Sequence, residues 1–422
     1  MTVIGLDDTD SRELGMCTTY VASRVADRVS AAGGRVVRVL LVRLNPAVEH
    51  KTRGNAALAV HCDLPPERAA AIAREELAVA ETDDPRTNPG FVVAPGSPER
   101  VSDGVAAFAR DALREIHAID DAVALADESG YRHGGRGNAR GTVGALAAVG
   151  AWAAFDDWTY EQISYREPDR LGTERDVDLD SLFAAADRHY PDAWDTVDRV
   201  EGEAVCVPRT PCPILHGIRG DDPDAVRALA SEVQSEPVHD SRLFVTNQGT
   251  DAHLAAGELG ALDPKRGWRV DGTVLDEPET REGGHVFVAF GEPDGPRVDC
   301  AAFEPTKRFR DRVRALRPGD RLTVCGEVSD GTLKLEKFAV RELDRTEHVT
   351  PACPDCGRTM ESAGRNQGYR CRDCGTSTDG KVETTVERDL EPGWYEVPPC
   401  ARRHVAKPLV RGGFDAETHP ER

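Results

Sequence analysis

Lysine is nearly missing from this chain: only seven of its 53 basic residues are lysine, set against 74 acids, and the net charge is −21 over 422 residues. An acidic, arginine-containing, lysine-poor surface is expected of a protein working in very high salt, where charge repulsion is screened to within a few Å. The acid excess therefore reads as an answer to solvent, and it is weak evidence against a nucleic-acid partner. Six of the seven lysines lie between Lys265 and Lys407, so any nucleic-acid contact is expected in the C-terminal half. Also missing is any stretch near ~18 consecutive apolar residues, which excludes a transmembrane helix and leaves no membrane partner. The N-terminus has neither a basic n-region nor an apolar h-region, so no signal peptide is expected and a cytoplasmic location is the default. Of the eleven cysteines, four fall in a metal pattern. The others are scattered and odd in number, which suits a reducing compartment better than a disulfide framework.

What is present begins at the N-terminus. Val3 to Leu6 reads as a strand, and Asp7, Asp8 and Asp10 follow it within four residues. Such acids repel one another unless a cation lies between them, and Mg²⁺ prefers carboxylate oxygens together with substrate phosphates. Gly15-Met16-Cys17-Thr18-Thr19-Tyr20 then opens an apolar-periodic helix. The Thr18 and Thr19 hydroxyls thus fall at a helix N-terminus, a position that favours phosphate.

Strand and helix signals alternate through about residue 130, with strands at 35–44, 55–61 and 88–93 and helices at 65–80 and 100–119. This implies a sheet covered by helices. The Gly-rich loop Gly134 to Gly141 leads into a helix at 142–152 and lacks the Lys-Ser/Thr ending of a Walker loop. Its Arg136 and Arg140 are candidate phosphate or RNA contacts. From Thr159 the order becomes βαββαβ, the ferredoxin-like signature, with strands at 159–166, 197–207, 213–220 and 242–245. Gly217, Arg219 and the run Thr246 to His253 are polar features at strand ends, of a type that can read a small amine or a base edge. Residues 268–345 hold five short strands, with a helix between the third and fourth, which suits an OB-fold. Phe287, Phe303, Lys307, Arg308 and Phe309 offer it aromatics and charge for single-stranded nucleic acid, although a barrel core also uses Phe.

Cys353-x-x-Cys356 and Cys371-x-x-Cys374, each continuing into Gly, form the most specific local signal. Four thiolates at this spacing make a closed tetrahedral Zn²⁺ site, structural because no coordination position is left open. The tail from Gly393 to Pro408 is aromatic, then proline-stiffened, then basic, a pattern that in so acidic a chain points to RNA contact. The expected units are 1–134 (α/β, kinase-like, ATP-binding), 135–262 (ferredoxin-like), 263–345 (OB-fold) and 346–422 (zinc ribbon and basic tail). The fold class is thus mixed α/β and α+β, multidomain.

Several of these motifs together resemble one family. G-x-D-D-T-D-S followed by G-M-C-T-T-Y, the run C-P-I-L-H-G-I-R-G and the run T-N-Q-G-T-D are similar to those of the archaeal tRNA(Ile) agmatidine synthetases, also called 2-agmatinylcytidine synthetases, and the resemblance spans essentially the whole chain. It implies an ATP-dependent ligase that replaces the C2 oxygen of the wobble cytidine of a CAU anticodon with agmatine, giving agmatidine and allowing AUA to be decoded. It implies a phosphorylated C2 oxygen as intermediate, and cleavage of ATP to AMP and two phosphates. By the same resemblance Asp7, Asp8 and Asp10 engage Mg²⁺ and the ATP phosphates, and Thr18 accepts a phosphoryl group. Gly5, Thr9, Ser11 and Thr19 are then expected on the nucleotide, with Arg136 and Arg140. Asn138 stands where the family pattern has a tighter Gly-Arg-Gly run, so the choice between the two arginines stays open. The alternatives are a non-catalytic single-stranded nucleic-acid binder, and an ATP-dependent kinase or ligase for a small molecule.

Overall fold

The computed structural model describes residues 1–51 and 54–422. Its N-terminal unit contains β1 (Thr2–Asp7), α1 (Thr18–Ala31), β2 (Val36–Arg43), β3 (Ala56–Cys62), α2 (Pro66–Glu76), β4 (Gly90–Pro95), α3 (Asp103–Asp111), α4 (Ile119–Glu128), β5 (Arg132–Gly135) and α5 (Thr142–Ala154). The strands lie in the order β5-β4-β1-β3-β2, all antiparallel, with β1 in the middle. Alternation along β1 sends Ile4 and Leu6 into a core with α1 and α2, and Val3 into a core with α3 and α5. Helix α5 is apolar on every side because it is covered on every side: α3 and α4 pack on it from outside and the sheet from within. The single helix expected over 100–119 is two. Ser102 caps α3 by accepting a hydrogen bond from the Val105 N–H, and the acids Asp120 and Asp121 begin α4 after a turn.

The second unit contains β6 (Thr159–Arg166), α6 (Leu179–His189), β7 (Ala193–Trp194), β8 (Ile214–Gly220), α7 (Pro223–Glu232) and β9 (Val238–Thr246). Its order β9-β6-β8-β7 is that of a ferredoxin-like sheet. The strand expected over 197–207 is not formed. Its place is taken by the two-residue β7, and residues 197–207 make turns that wall a cavity. Strand β9 pairs in parallel with β2 at Leu40↔Val245 and Leu41↔Thr246, so both units share one nine-stranded sheet.

The third unit is the OB-fold. After the short β10 (Leu254–Ala256) come β11 (Arg266–Val274), β12 (Glu279–Thr280), β13 (Val286–Gly291), β14 (Arg297–Ala302), α8 (Phe309–Arg314), β15 (Arg321–Ser329) and β16 (Thr332–Glu342). The ladder β11-β13-β14-β16-β15-β11 closes into a barrel, and β14 and β16 are its parallel pair. Phe290, Phe309 and Phe338 fill it, whereas Phe287 and Phe303 stay half-buried on its outside.

The zinc ribbon is an insertion. The chain leaves β16, builds the small sheets around the four cysteines, and returns as a strand at Gly393–Glu396 that pairs with β16 again. The tail is therefore not a basic arm. Trp394 and Tyr395 are buried in the barrel wall. The Arg402 guanidinium is buried between Asp195 and Glu396, and Arg403 pairs with Glu327 and Glu336. Of the cations that read as RNA contacts, Arg402 straps the barrel to the ferredoxin-like unit and Arg403 fastens the tail to the barrel.

Candidate active site

At the end of β1 the chain turns through Asp8, whose φ of 60° is a left-handed conformation that Asp tolerates better than most residues. The Asp7 Oδ1 accepts from the Asp8 N–H at 2.7 Å. The Asp8 Oδ2 accepts from the Asn88 N–H at 3.2 Å and from the Arg140 Nη2 at 2.7 Å. Burial, and then the Asp8 charge, push the Asp7 carboxyl well above the usual carboxylate range. Burial also raises Asp8, against the pull of Arg140. Buried acids forced this close fit a hard divalent cation that takes oxygen ligands and leaves room for phosphate.

Two helices aim their N-termini at this corner from opposite faces of the sheet. Helix α5 comes so close that a Cβ on Gly144 would stand 2.0 Å from the Asp7 Oδ2, and one on Gly141 2.5 Å from the Asp7 carbonyl oxygen. Helix α1 starts at Thr18 on the other face, where the Thr9 hydroxyl donates to the Thr18 Oγ1 at 3.1 Å. Two macrodipoles and their first N–H groups thus favour negative charge where the acids would bind a cation, the combination a phosphate–metal complex needs.

The acids border two cavities. Asp7, Asp8 and Asp10 line one of about 130 Å³ together with Arg140 and the apolar Leu44, Val48 and Ile116. Asp10, Thr18 and Thr19 line a second, of about 420 Å³, between the α1 N-terminus, the ferredoxin-like sheet and the tail. Asp10 belongs to both.

Other expected site residues fall elsewhere. Gly5 packs against the first turns of α5, since a Cβ there would meet the Ala145 carbonyl oxygen at 2.1 Å; its smallness serves helix–sheet packing and it lines neither cavity. Ser11 is buried and its hydroxyl donates to the Asp84 Oδ2 at 2.7 Å, closing the turn. Arg136 is exposed and lines neither cavity, while Arg140 reaches the acids. The Thr246 to His253 run is internal bracing. Asn247 accepts from the Arg43 N–H at 2.7 Å and donates to its carbonyl at 3.0 Å, Gln248 accepts from the Arg43 guanidinium, and His253 pairs with Glu336 at 2.9 Å. Sequence reasoning does not place Asn88, Gly144, Arg43, Glu161 or His404 at the site. The Gly141–Gly144 spacing, which puts both on one helix face, is the available signal.

In the ribbon the four cysteine sulfurs lie within 4.8 Å of one another, and those of Cys356 and Cys371 are 3.6 Å apart. A tetrahedral zinc tetrathiolate sets sulfurs ~3.8 Å apart, so the site fits zinc. The knuckles match: the Gly357 N–H donates to the Cys353 carbonyl at 2.8 Å, and the Gly375 N–H to the Cys371 carbonyl at 3.0 Å, both glycines at positive φ.

An acid cluster between two helix N-termini, open to a large cavity and joined to an OB barrel and a zinc ribbon, fits one class: an ATP-dependent enzyme acting on nucleic acid. Comparison narrows it. Family models described as the TiaS TCKD domain, the TiaS FLD domain and the TiaS C-terminal zinc ribbon domain match residues 3–137, 139–253 and 350–390. The chain is 55% identical, over all of both chains, to the tRNA(Ile) 2-agmatinylcytidine synthetase TiaS of Haloquadratum walsbyi. It matches a crystal structure of TiaS in complex with its tRNA(Ile) and ATP at TM-score 0.91 and 42% identity, covering 100% of this chain and 99% of that one. A TiaS complex with tRNA(Ile), AMPCPP and agmatine matches at TM-score 0.89 and 39% identity, with 100% and 99% covered. This chain belongs to the tRNA(Ile) 2-agmatinylcytidine synthetase family.

Proposed function

We propose that this protein uses ATP to replace the C2 oxygen of the wobble cytidine in the CAU anticodon of tRNA(Ile) with agmatine. It is a ligase that forms a carbon–nitrogen bond, with tRNA, ATP and agmatine as substrates. The observation that carries the reading is the meeting of Asp7, Asp8 and Asp10 with the α1 N-terminus at one corner, in a chain whose full length aligns with synthetases of this name.

The chemical problem is a poor leaving group. A pyrimidine oxo oxygen departs only once it carries a phosphoryl group, after which an amine displaces phosphate at C2. In our reading the smaller cavity takes the nucleotide, its apolar wall against adenine and its acids toward the phosphates. Asp7, Asp8 and Asp10 hold Mg²⁺, which when bound neutralises charge on the phosphates. Arg140 keeps Asp8 in place. Thr18, at the first turn of α1, accepts a phosphoryl group, with Thr9 fixing its hydroxyl. Asp10, on the wall shared by the two cavities, links the nucleotide to the larger one, which takes the unstacked base and agmatine. Glu161 and Glu203 on that cavity's wall supply acid partners for an amine with two cationic groups. The OB-fold and zinc ribbon grip the rest of the tRNA, and with such a substrate the enzyme works in the cytoplasm. No helix among the described residues is long and apolar enough to cross a membrane.

The test is to incubate the protein with CAU-anticodon tRNA(Ile), ATP and agmatine and to analyse the anticodon nucleosides by mass spectrometry. An agmatine adduct of cytidine is expected. Asp8→Ala should lower its rate by about 10³-fold, the several kcal/mol that metal-assisted phosphoryl transfer supplies, without loosening tRNA binding. Full activity in Asp8→Ala would refute the assignment, and ATP consumption indifferent to tRNA would refute the substrate.

A further inference from the structure

The larger cavity holds a buried arginine that the scheme above leaves unused. Arg219, near the end of β8, lines it and is only 5% exposed. Its Nε is buried without a partner, and among the described residues its guanidinium has no hydrogen bond or ion pair. Across the strand pair lies Glu161, but that carboxylate accepts from Gln248 and lies over Gly217. A buried guanidinium without a counter-ion is strongly destabilising, so it persists where a ligand supplies the anion. The other groups facing it agree. Arg43 is on the same wall, and the His404 imidazole from the tail is held well below its ordinary range by the Arg43 charge, burial and the Arg219 charge, in that order. Thr18 lines the same cavity.

We propose that Arg219 is a phosphate ligand of the reaction cavity, holding the phosphoryl group carried on the base oxygen and receiving its charge as it leaves C2. The inference rests on the function proposed above. In the step, the agmatine amine nitrogen forms the C2–N bond and the C2–O bond breaks. The electron pair goes to the departing phosphate oxygen, and the amine proton passes to that phosphate. A guanidinium fork matches two phosphate oxygens, and its stabilisation grows as the charge develops.

The test uses the full-length protein and two variants, Arg219→Gln and Arg219→Lys. Single-turnover reactions with radiolabelled ATP should show Arg219→Gln losing less in tRNA phosphorylation than in adduct formation. Adduct formation should be slower by about 10²-fold, so that phosphorylated tRNA accumulates. Arg219→Lys, which keeps the charge without the fork, should recover part of that loss. An unchanged adduct rate would overturn the proposal. So would a weaker tRNA affinity that accounts for the whole defect, because the anion would then be a backbone diester. A separate arm titrates inorganic phosphate alone: the wild-type melting temperature should rise and that of Arg219→Gln should not, while equal shifts would overturn the site. This arm reads Arg219 even if the wild type makes no adduct, the outcome that would instead sink the proposed function.

Discussion

Asp7 is held where it is by the absence of a side chain at Gly144. A methyl group there would overlap the Asp7 carboxylate at 2.0 Å, so Gly144→Ala must displace either the acid or α5. In the metal-holding role proposed above for Asp7, displacement by about 1 Å costs on the order of 10²-fold in rate. Gly144→Ala is therefore expected to lose that much in steady-state adduct formation while its tRNA affinity is retained. The acids were legible as a cluster in the sequence. The glycines that seat them were not, because their meaning lies in a packing contact with a strand at the far end of the unit. A second residue-scale expectation concerns His216 on β8, which is buried with neither ring nitrogen partnered. Burial lowers it from 6.5 to about 4. The unfolded chain takes up a proton near pH 6.5 while the folded one resists until about pH 4, so this group's stability contribution is complete above pH 6.5 and is lost as pH falls toward 4. Denaturant titrations from about pH 7 to about pH 4 should show that slope, and His216→Leu should reduce it, leaving the part due to His61, which burial lowers to about 3.

The elements were more readable than their partners. All five OB strands and the helix between the third and fourth follow from alternating apolar residues and turn signals, because each is set by local pattern. The strand expected over 197–207 failed because the segment turns back on itself, Asp198 bridging to Glu203, and meets β8 only where the Gly217 N–H donates to the Cys206 carbonyl. The apolar pattern there was real: Val197 and Cys206 enter the core of the ferredoxin-like unit, and Val205 lines the cavity. The tail failed for the opposite reason: Arg402 is neutralised by Asp195, 207 positions away, a pairing that no local window contains. The zinc ribbon is an element whose stability is separable, since it is inserted between two strands that pair with each other. Cys353→Ser with Cys371→Ser should abolish zinc binding and remove amide-exchange protection over 350–390. Protection in β11 to β16 should remain. Loss of protection throughout the barrel would show that the ribbon is not an independent insertion.

At the scale of the molecule, one sheet carries two units and the tail fastens a third to them. Strand β9 extends the N-terminal sheet, so the wall of the larger cavity and the acid corner cannot shift independently. The net charge of −21 acts against this assembly through self-repulsion. Screening shortens the Debye length from ~10 Å at ~0.1 M to ~3 Å at ~1 M, so the melting temperature should climb steadily with KCl over that range; a flat profile would mean that the acids are paired internally. The proposed chemistry depends on where the nucleotide sits. Crystals grown with a non-hydrolysable ATP analogue and Mn²⁺, measured at the manganese edge, should give an anomalous peak ~2.2 Å from carboxylate oxygens of the Asp7–Asp8–Asp10 cluster, with the terminal phosphate facing the Thr18 hydroxyl. A peak elsewhere, with the analogue outside the corner where α1 and α5 converge, would contradict it.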